Sequence, residues 1–138
     1  MSESTHQFLT EFIQAWNAHD LERVSAFYAE DYEDIDVAQA TPQRGRDSMR
    51  RKVAYYLRAF PDLCVTLDRY VAQDHQLALF WTWSGTHRGT FMNIPPSGRT
   101  VTVRGSSLLE VTDGQVRRGW RVWDLAGLLR DLGLLPEL

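Results

Sequence analysis

The chain has 138 residues, 43% of them hydrophobic and 24% charged, and carries a net charge of −3. That is enough for one domain with a substantial core, and the weak negative charge argues against a general nucleic-acid binder, which needs a basic face. A single cysteine excludes an intrachain disulfide and a thiolate metal cluster, and the absence of a membrane-length apolar run or a secretory apolar segment reads as a cytoplasmic protein without membrane or nucleic-acid partners.

All 138 residues read as one domain, with no linker, repeat or low-complexity stretch. Phe8, Phe12, Ile13 and Trp16 recur at helical spacing until "NAHD" ends the pattern. Asp20 is placed to cap a second helix carrying Leu21, Val24, Phe27 and Tyr28 on one face. "DYEDIDV" (31–37) then changes to the two-residue period of a short strand. A third helix follows "RGRD", with Asp47 as its cap and Met49, Val53, Leu57 and Phe60 as its apolar stripe; Pro61 stops it.

From about residue 62 to 123 the pattern is β. Leu63, Val65 and Leu67 alternate, as do Leu77, Leu79, Trp81 and Trp83, and then Val101, Val103, Gly105 and Ser107. Cys64 lies within the first of these apolar runs and reads as a buried, inert thiol. "PPSG" (95–98) connects two strands, and Asp113-Gly114 is the strongest hairpin signal. Asp124 caps a last helix bearing Leu125, Leu128, Leu129 and Leu132, which Gly133 ends. Helices followed by a long antiparallel meander give an α+β class. A curved sheet covered on one face by helices forms a cone whose apolar interior suits a small molecule.

"DGQVRRGWRVWD" (113–124) raises a question of facing. Strict alternation sets Val116, Arg118, Trp120 and Val122 on one face and Arg117, Gly119, Arg121 and Trp123 on the other. Periodicity alone turns the first set inward, whereas a bulge or strong curvature would let both faces be partly enclosed.

Four segments together resemble the SnoaL-like polyketide cyclases of the nuclear transport factor 2-like superfamily: "FIQAWNAHDLERVSAFYAEDY", "GTHRGTFMNIPPSGRTVTVRG", "LLEVTDGQVRRGWRVWD" and "LAGLLRDLG". The resemblance implies a cone-shaped α+β barrel that needs no cofactor and forms dimers or tetramers through the outer sheet face. In that family an aspartate on the last strand acts as acid/base, assisted by a glutamine and a histidine on the preceding strand. Those positions fall here on Arg121, Gly105 and Ser107, and an asparagine near the cavity entrance falls near Asp34. The chain thus keeps the shell and departs from the usual ester-cyclase residues. The position of Arg121 is expected to face the cavity.

The candidate chemistry centres on Tyr32, Asp34 and Asp36, which share one face of a strand. Turned inward, the two carboxylates would lift one pKa by desolvation and mutual repulsion, leaving an acid beside a base; turned outward, they keep a loop soluble. His87, in "GTHRG" after a central strand, is a candidate proton shuttle or a structural holder of its hairpin. Arg121 would bind an anionic oxygen or lower an aspartate's pKa, or else form a salt bridge in a subunit contact. The four histidines are scattered and show no metal-site spacing. Trp16, Tyr32, Trp83, Ser107 and Trp120 are the candidate substrate contacts; tryptophans are more often core, yet five of them suit a flat apolar substrate. The expectation is a cofactor-free enzyme for cyclisation, dehydration, isomerisation or epoxide opening of a polyketide-like or polycyclic hydrophobic small molecule. The alternatives are a non-catalytic binding or assembly protein and a hydroxylase-like relative.

Overall fold

The computed structural model describes residues 2–137. Helices α1 (Ser2–Asn17) and α2 (Leu21–Ala26) lead into strand β1 (Tyr28–Asp36), a short β2 (Gln43–Arg44) and helix α3 (Arg46–Ala59). Four long strands follow, β3 (Cys64–Gln73), β4 (Gln76–Thr86), β5 (Thr100–Thr112) and β6 (Gln115–Trp123), and helix α4 (Leu125–Asp131) closes the chain. The strands form one curved, unclosed sheet in the order β2-β1-β6-β5-β4-β3. Only β1 and β6 run parallel; the other neighbours are antiparallel.

Local chemistry accounts for most element ends. Asp20 accepts a hydrogen bond from the Arg23 amide at 3.1 Å, and Asp124 accepts from the Gly127 amide at 2.8 Å, so both act as helix caps. Asp113 and Gly114 have φ of 54° and 72°, the left-handed pair a two-residue hairpin requires. Asn17, at the end of α1, donates to the Val65 carbonyl at 2.9 Å and accepts from its amide at 2.7 Å, fixing the helix to β3.

Three local expectations are corrected. Tyr28 is not part of the second helix: α2 ends after one and a half turns because the Phe27 carbonyl is taken by the Val116 amide, which starts the β1–β6 ladder at Tyr28. Asp47 does not cap α3. Gly45 occupies the cap position with φ 98° and no side-chain bond, leaving Asp47 in the first turn near the positive helix end. Cys64 is exposed, because alternation with the inward Leu63 and Val65 turns it out from the edge strand β3.

A bulge settles the facing of β6. Glu110 pairs with Arg118 and Val111 with Val116, so Arg117 is an extra residue in β6. The period therefore slips by one: Val116 points in before the bulge, and Gly119, Arg121 and Trp123 line the interior after it. Arg118 is exposed, pairing with Glu33 at 2.8 Å.

The apolar interior has two clusters. One packs α1, α2 and α3 on the sheet around Leu9, Phe12, Val24, Tyr28 and Val53. The other gathers Phe60, Trp83, Phe91, Val101, Val103 and Leu128 under α4. Trp16, Leu57 and Trp81 touch both.

Candidate active site

A cavity of about 110 Å³ opens between the two clusters. Its walls are mostly aromatic and aliphatic, with Trp16, Trp81, Trp83 and Trp123 among the lining residues. Asp34 and Arg121 supply the charged part of that lining. All five expected substrate contacts, Trp16, Tyr32, Trp83, Ser107 and Trp120, border the cavity.

The parallel β1–β6 pairing builds the polar wall. Asp34 lies opposite Gly119, and Asp36 lies opposite Arg121. Gly119 is needed at that point: a Cβ there would come within 2.6 Å of the Tyr32 hydroxyl. That hydroxyl instead donates to Asp34 Oδ1 at 3.1 Å. Asp34 Oδ2 is paired with Lys52 Nζ from α3 and lies 3.6 Å from Arg121 Nη2. Both Asp34 and Asp36 are only 5% exposed, so these partners replace water around the carboxylates.

Asp36 and His87, both named as catalytic candidates from sequence, do not line the cavity. Asp36 stands behind Arg121. Its Oδ2 accepts from Arg121 Nη2 at 2.9 Å, and its Oδ1 accepts from Trp123 Nε1 and the Ala38 amide, each at 2.9 Å. Burial opposes its ionisation, but the Arg121 charge and these hydrogen bonds outweigh it and hold the carboxyl below its ordinary pKa. Desolvation and mutual repulsion were expected to lift one of an inward-facing pair; at Asp36 the shift is downward because the Arg121 charge and the hydrogen bonds outweigh burial. His87 is fully buried in the α4-side cluster, 5.7 Å ring to ring from Phe60. Its Nδ1 accepts from the Ser97 amide at 3.2 Å and lies 2.9 Å from the Ser97 hydroxyl, so it fastens the β4–β5 connection rather than serving the cavity.

Burial pushes the Tyr32 hydroxyl up, reinforced by Tyr28 and Asp34. Burial likewise pushes Tyr56 up to about 12, with Arg121 opposing and Asp36 and Asp34 reinforcing. For Arg121, burial works against the charge, but Tyr56, Asp34 and Asp36 together raise its pKa. Lys52 and Arg121 balance Asp34 and Asp36, which lets four charges share a half-enclosed wall. Among the described residues, no group of three or more His, Cys, Asp or Glu side chains is arranged to hold a metal ion.

Sequence reasoning missed Lys52 and Tyr56. Their signal was a break in the α3 stripe: Met49, Val53 and Tyr56 recur at helical spacing, and Lys52 sits on the same side. Trp81 read from sequence as one of five tryptophans, more often core than ligand platform. It lies across Gly105, where a Cβ would meet its ring at 2.4 Å, and its Nε1 donates to the Ser107 hydroxyl at 3.0 Å. An indole thus covers the two positions where the family resemblance expected glutamine and histidine.

These features define a curved-sheet α+β cone with an internal aromatic cavity and one charge-compensated polar wall, the nuclear transport factor 2-like fold. The chain belongs to the SnoaL-like polyketide cyclase family, whose pattern matches residues 6–132. Among solved structures it is similar to AclR, a proposed hydroxylase from Streptomyces galilaeus, with 28% identity and a TM-score of 0.87 over 100% of this chain and 90% of that one. TsrD from Streptomyces laurentii is 28% identical, with a TM-score of 0.86 over 98% of both chains. IdmH, a proposed polyketide cyclase from Streptomyces antibioticus, is 25% identical, with a TM-score of 0.79 over 93% of this chain and 97% of that one. No functionally curated protein matches the sequence.

Proposed function

We propose that the protein is an acid/base enzyme of the polyketide cyclase type, acting without a cofactor on a hydrophobic, unsaturated small molecule. One observation carries this reading: among the described residues, Asp34 is the one carboxylate in the lining of an otherwise apolar and aromatic cavity. In such a place a carboxylate removes a proton from bound substrate and returns it elsewhere, with Arg121 facing the charge that develops. Cyclisation, dehydration, isomerisation and epoxide opening all use that proton transfer. Asp36 acts through Arg121 as a positioning residue. The test is turnover of a substrate found by screening polyketide-like compounds: Asp34→Asn lowers it about 10²–10⁴-fold on this reading, and unchanged turnover would sink it.

Two other readings each have an observation behind them. Asp34 is already engaged by Lys52, Tyr32 and Arg121, a saturation that favours a binding protein without turnover. Ligand retention without product in the wild type would select it. The likeness to AclR favours oxygen insertion, which a product heavier by one oxygen atom would reveal. We also propose a homodimer through the outer sheet face, where Phe80 and Val122 flank Ser106 in one cross-strand row and are 51% and 54% exposed. A monomer in sedimentation velocity would exclude it.

A further inference from the structure

Tyr56 stands out among the cavity residues because the acid/base reading gives it no task. It projects from α3 on the face that also carries Met49 and Val53, and Met49 lines the same cavity. Lys52, which pairs with Asp34, sits about one helical turn earlier, roughly 6 Å along the axis. The Tyr56 ring is held on three sides. Trp83 meets it edge-on at 5.9 Å, Phe91 packs at 5.3 Å, and Tyr55 lies perpendicular at 6.4 Å. The hydroxyls of two neighbouring tyrosines are occupied: Tyr32 donates to Asp34, and Tyr55 accepts from the Met92 amide. The Tyr56 hydroxyl bonds no other described residue, and Tyr56 lines the cavity together with Arg121 and Asp34. Arg121 matches it, since its buried Nε has no protein partner among the described residues.

We propose that the Tyr56 hydroxyl and Arg121 together cradle the substrate oxygen that becomes negative when Asp34 removes a proton from an enolisable carbonyl compound, making Tyr56 a further catalytic residue. The proposal rests on the acid/base reading above. In the step, the C–H electron pair becomes a C=C bond, the carbonyl π pair moves onto oxygen, and the proton resides on Asp34. The Tyr56 O–H and the Arg121 N–H donate to the new enolate oxygen. Asp34 then returns its proton to another carbon of the enolate, or the enolate carbon attacks a second carbonyl carbon. In the second case that carbonyl's π pair moves onto its own oxygen, which takes the proton from Asp34; neither route needs an outside oxidant or reductant. Burial, which raises the Tyr56 pKa to about 12, keeps the hydroxyl protonated and able to donate at neutral pH.

The test uses 4-nitrophenolate as an oxyanion probe, followed by its visible absorption on binding to the intact protein. Asp34→Asn removes the competing negative charge and is expected to bind the probe more tightly than wild type. In that background, Tyr56→Phe keeps the ring and its packing and is expected to weaken binding about tenfold or more. Tyr55→Phe, whose hydroxyl faces the 91–94 turn, is expected to leave binding unchanged. Equal affinity with and without the Tyr56 hydroxyl overturns the proposal, as does no binding to Asp34→Asn at millimolar probe. Probe binding does not require Asp34 to act as a base, so failure here and failure of the turnover test are separate results.

Discussion

Two ends of the molecule bury polar side chains to a similar depth and use them differently. At the β1–β6 end, Asp34, Asp36, Lys52 and Arg121 form a charged, internally balanced wall, two members of which line a cavity. At the β4–β5 connection, His87 is fully buried among aromatic rings, its ring bonded to Ser97, and away from that cavity. Depth of burial does not distinguish the two. Access to a ligand-sized space does, together with the compensation of charge that makes access tolerable in an apolar setting.

The contrast breaks most sharply at Asp34. Its replacement by asparagine keeps the shape and removes the base, with an expected loss in turnover of about 10²–10⁴-fold. The matching substitution at the other end, His87→Ala, is expected to leave turnover per folded molecule unchanged. If His87→Ala lost as much turnover as Asp34→Asn, the two ends would not be separate in function.

Arg121 comes next in expected effect, and here stability is the measure. The guanidinium is shared by two buried carboxylates, so Arg121→Met strands Asp36 without a cationic partner and leaves Asp34 with Lys52 alone. Breaking such a pair costs about 3–5 kcal/mol, read as a lower midpoint in urea denaturation. Adding Asp36→Asn to Arg121→Met is expected to recover part of that loss, because one stranded charge disappears; no recovery would mean the network is not coupled as described. His87→Ala is expected to cost less, about 1–3 kcal/mol, chiefly through the Ser97 amide left without its acceptor.

Much of the fold was legible because it rests on short-range chemistry. Helix caps at Asp20 and Asp124, the Asp113-Gly114 turn and the inward Leu77–Trp83 alternation all involve residues within a few positions of one another. The site was legible in part. The strand period set Tyr32 and Asp34 on one face without choosing inward or outward, and family resemblance pointed Arg121 inward against the period; all three line the cavity. Strict alternation failed at Arg121 because the bulge at Arg117 lies in how β6 pairs with β5, a non-local fact. Lys52 and Tyr56 were hidden for a similar reason: a helical face looks like core until the sheet opposite it is known to carry an aspartate. His87 stayed open between proton shuttle and hairpin holder because a histidine at a strand end looks the same in sequence whether it faces a ligand or a serine.

The smallest expected effect sharpens the comparison within the charged wall itself. Asp36 has a folded-state pKa below its ordinary value, held there against burial by Arg121, the Ala38 amide and Trp123. A carboxyl with a lowered folded pKa binds fewer protons in the native state than in the unfolded chain, so its contribution is complete above the unfolded value of about 3.9. It is lost as pH falls from there through the lower folded value. The wild type is therefore expected to lose melting temperature on going from pH 6 to pH 3 more steeply than Asp36→Asn, which lacks this titration. His87→Ala retains Asp36 and is expected to keep the wild-type slope across that acid range. Equal slopes for the wild type and Asp36→Asn would show that Asp36 is no more tightly held in the folded protein than in the unfolded chain, and the account of Arg121 as its fixed partner would fail.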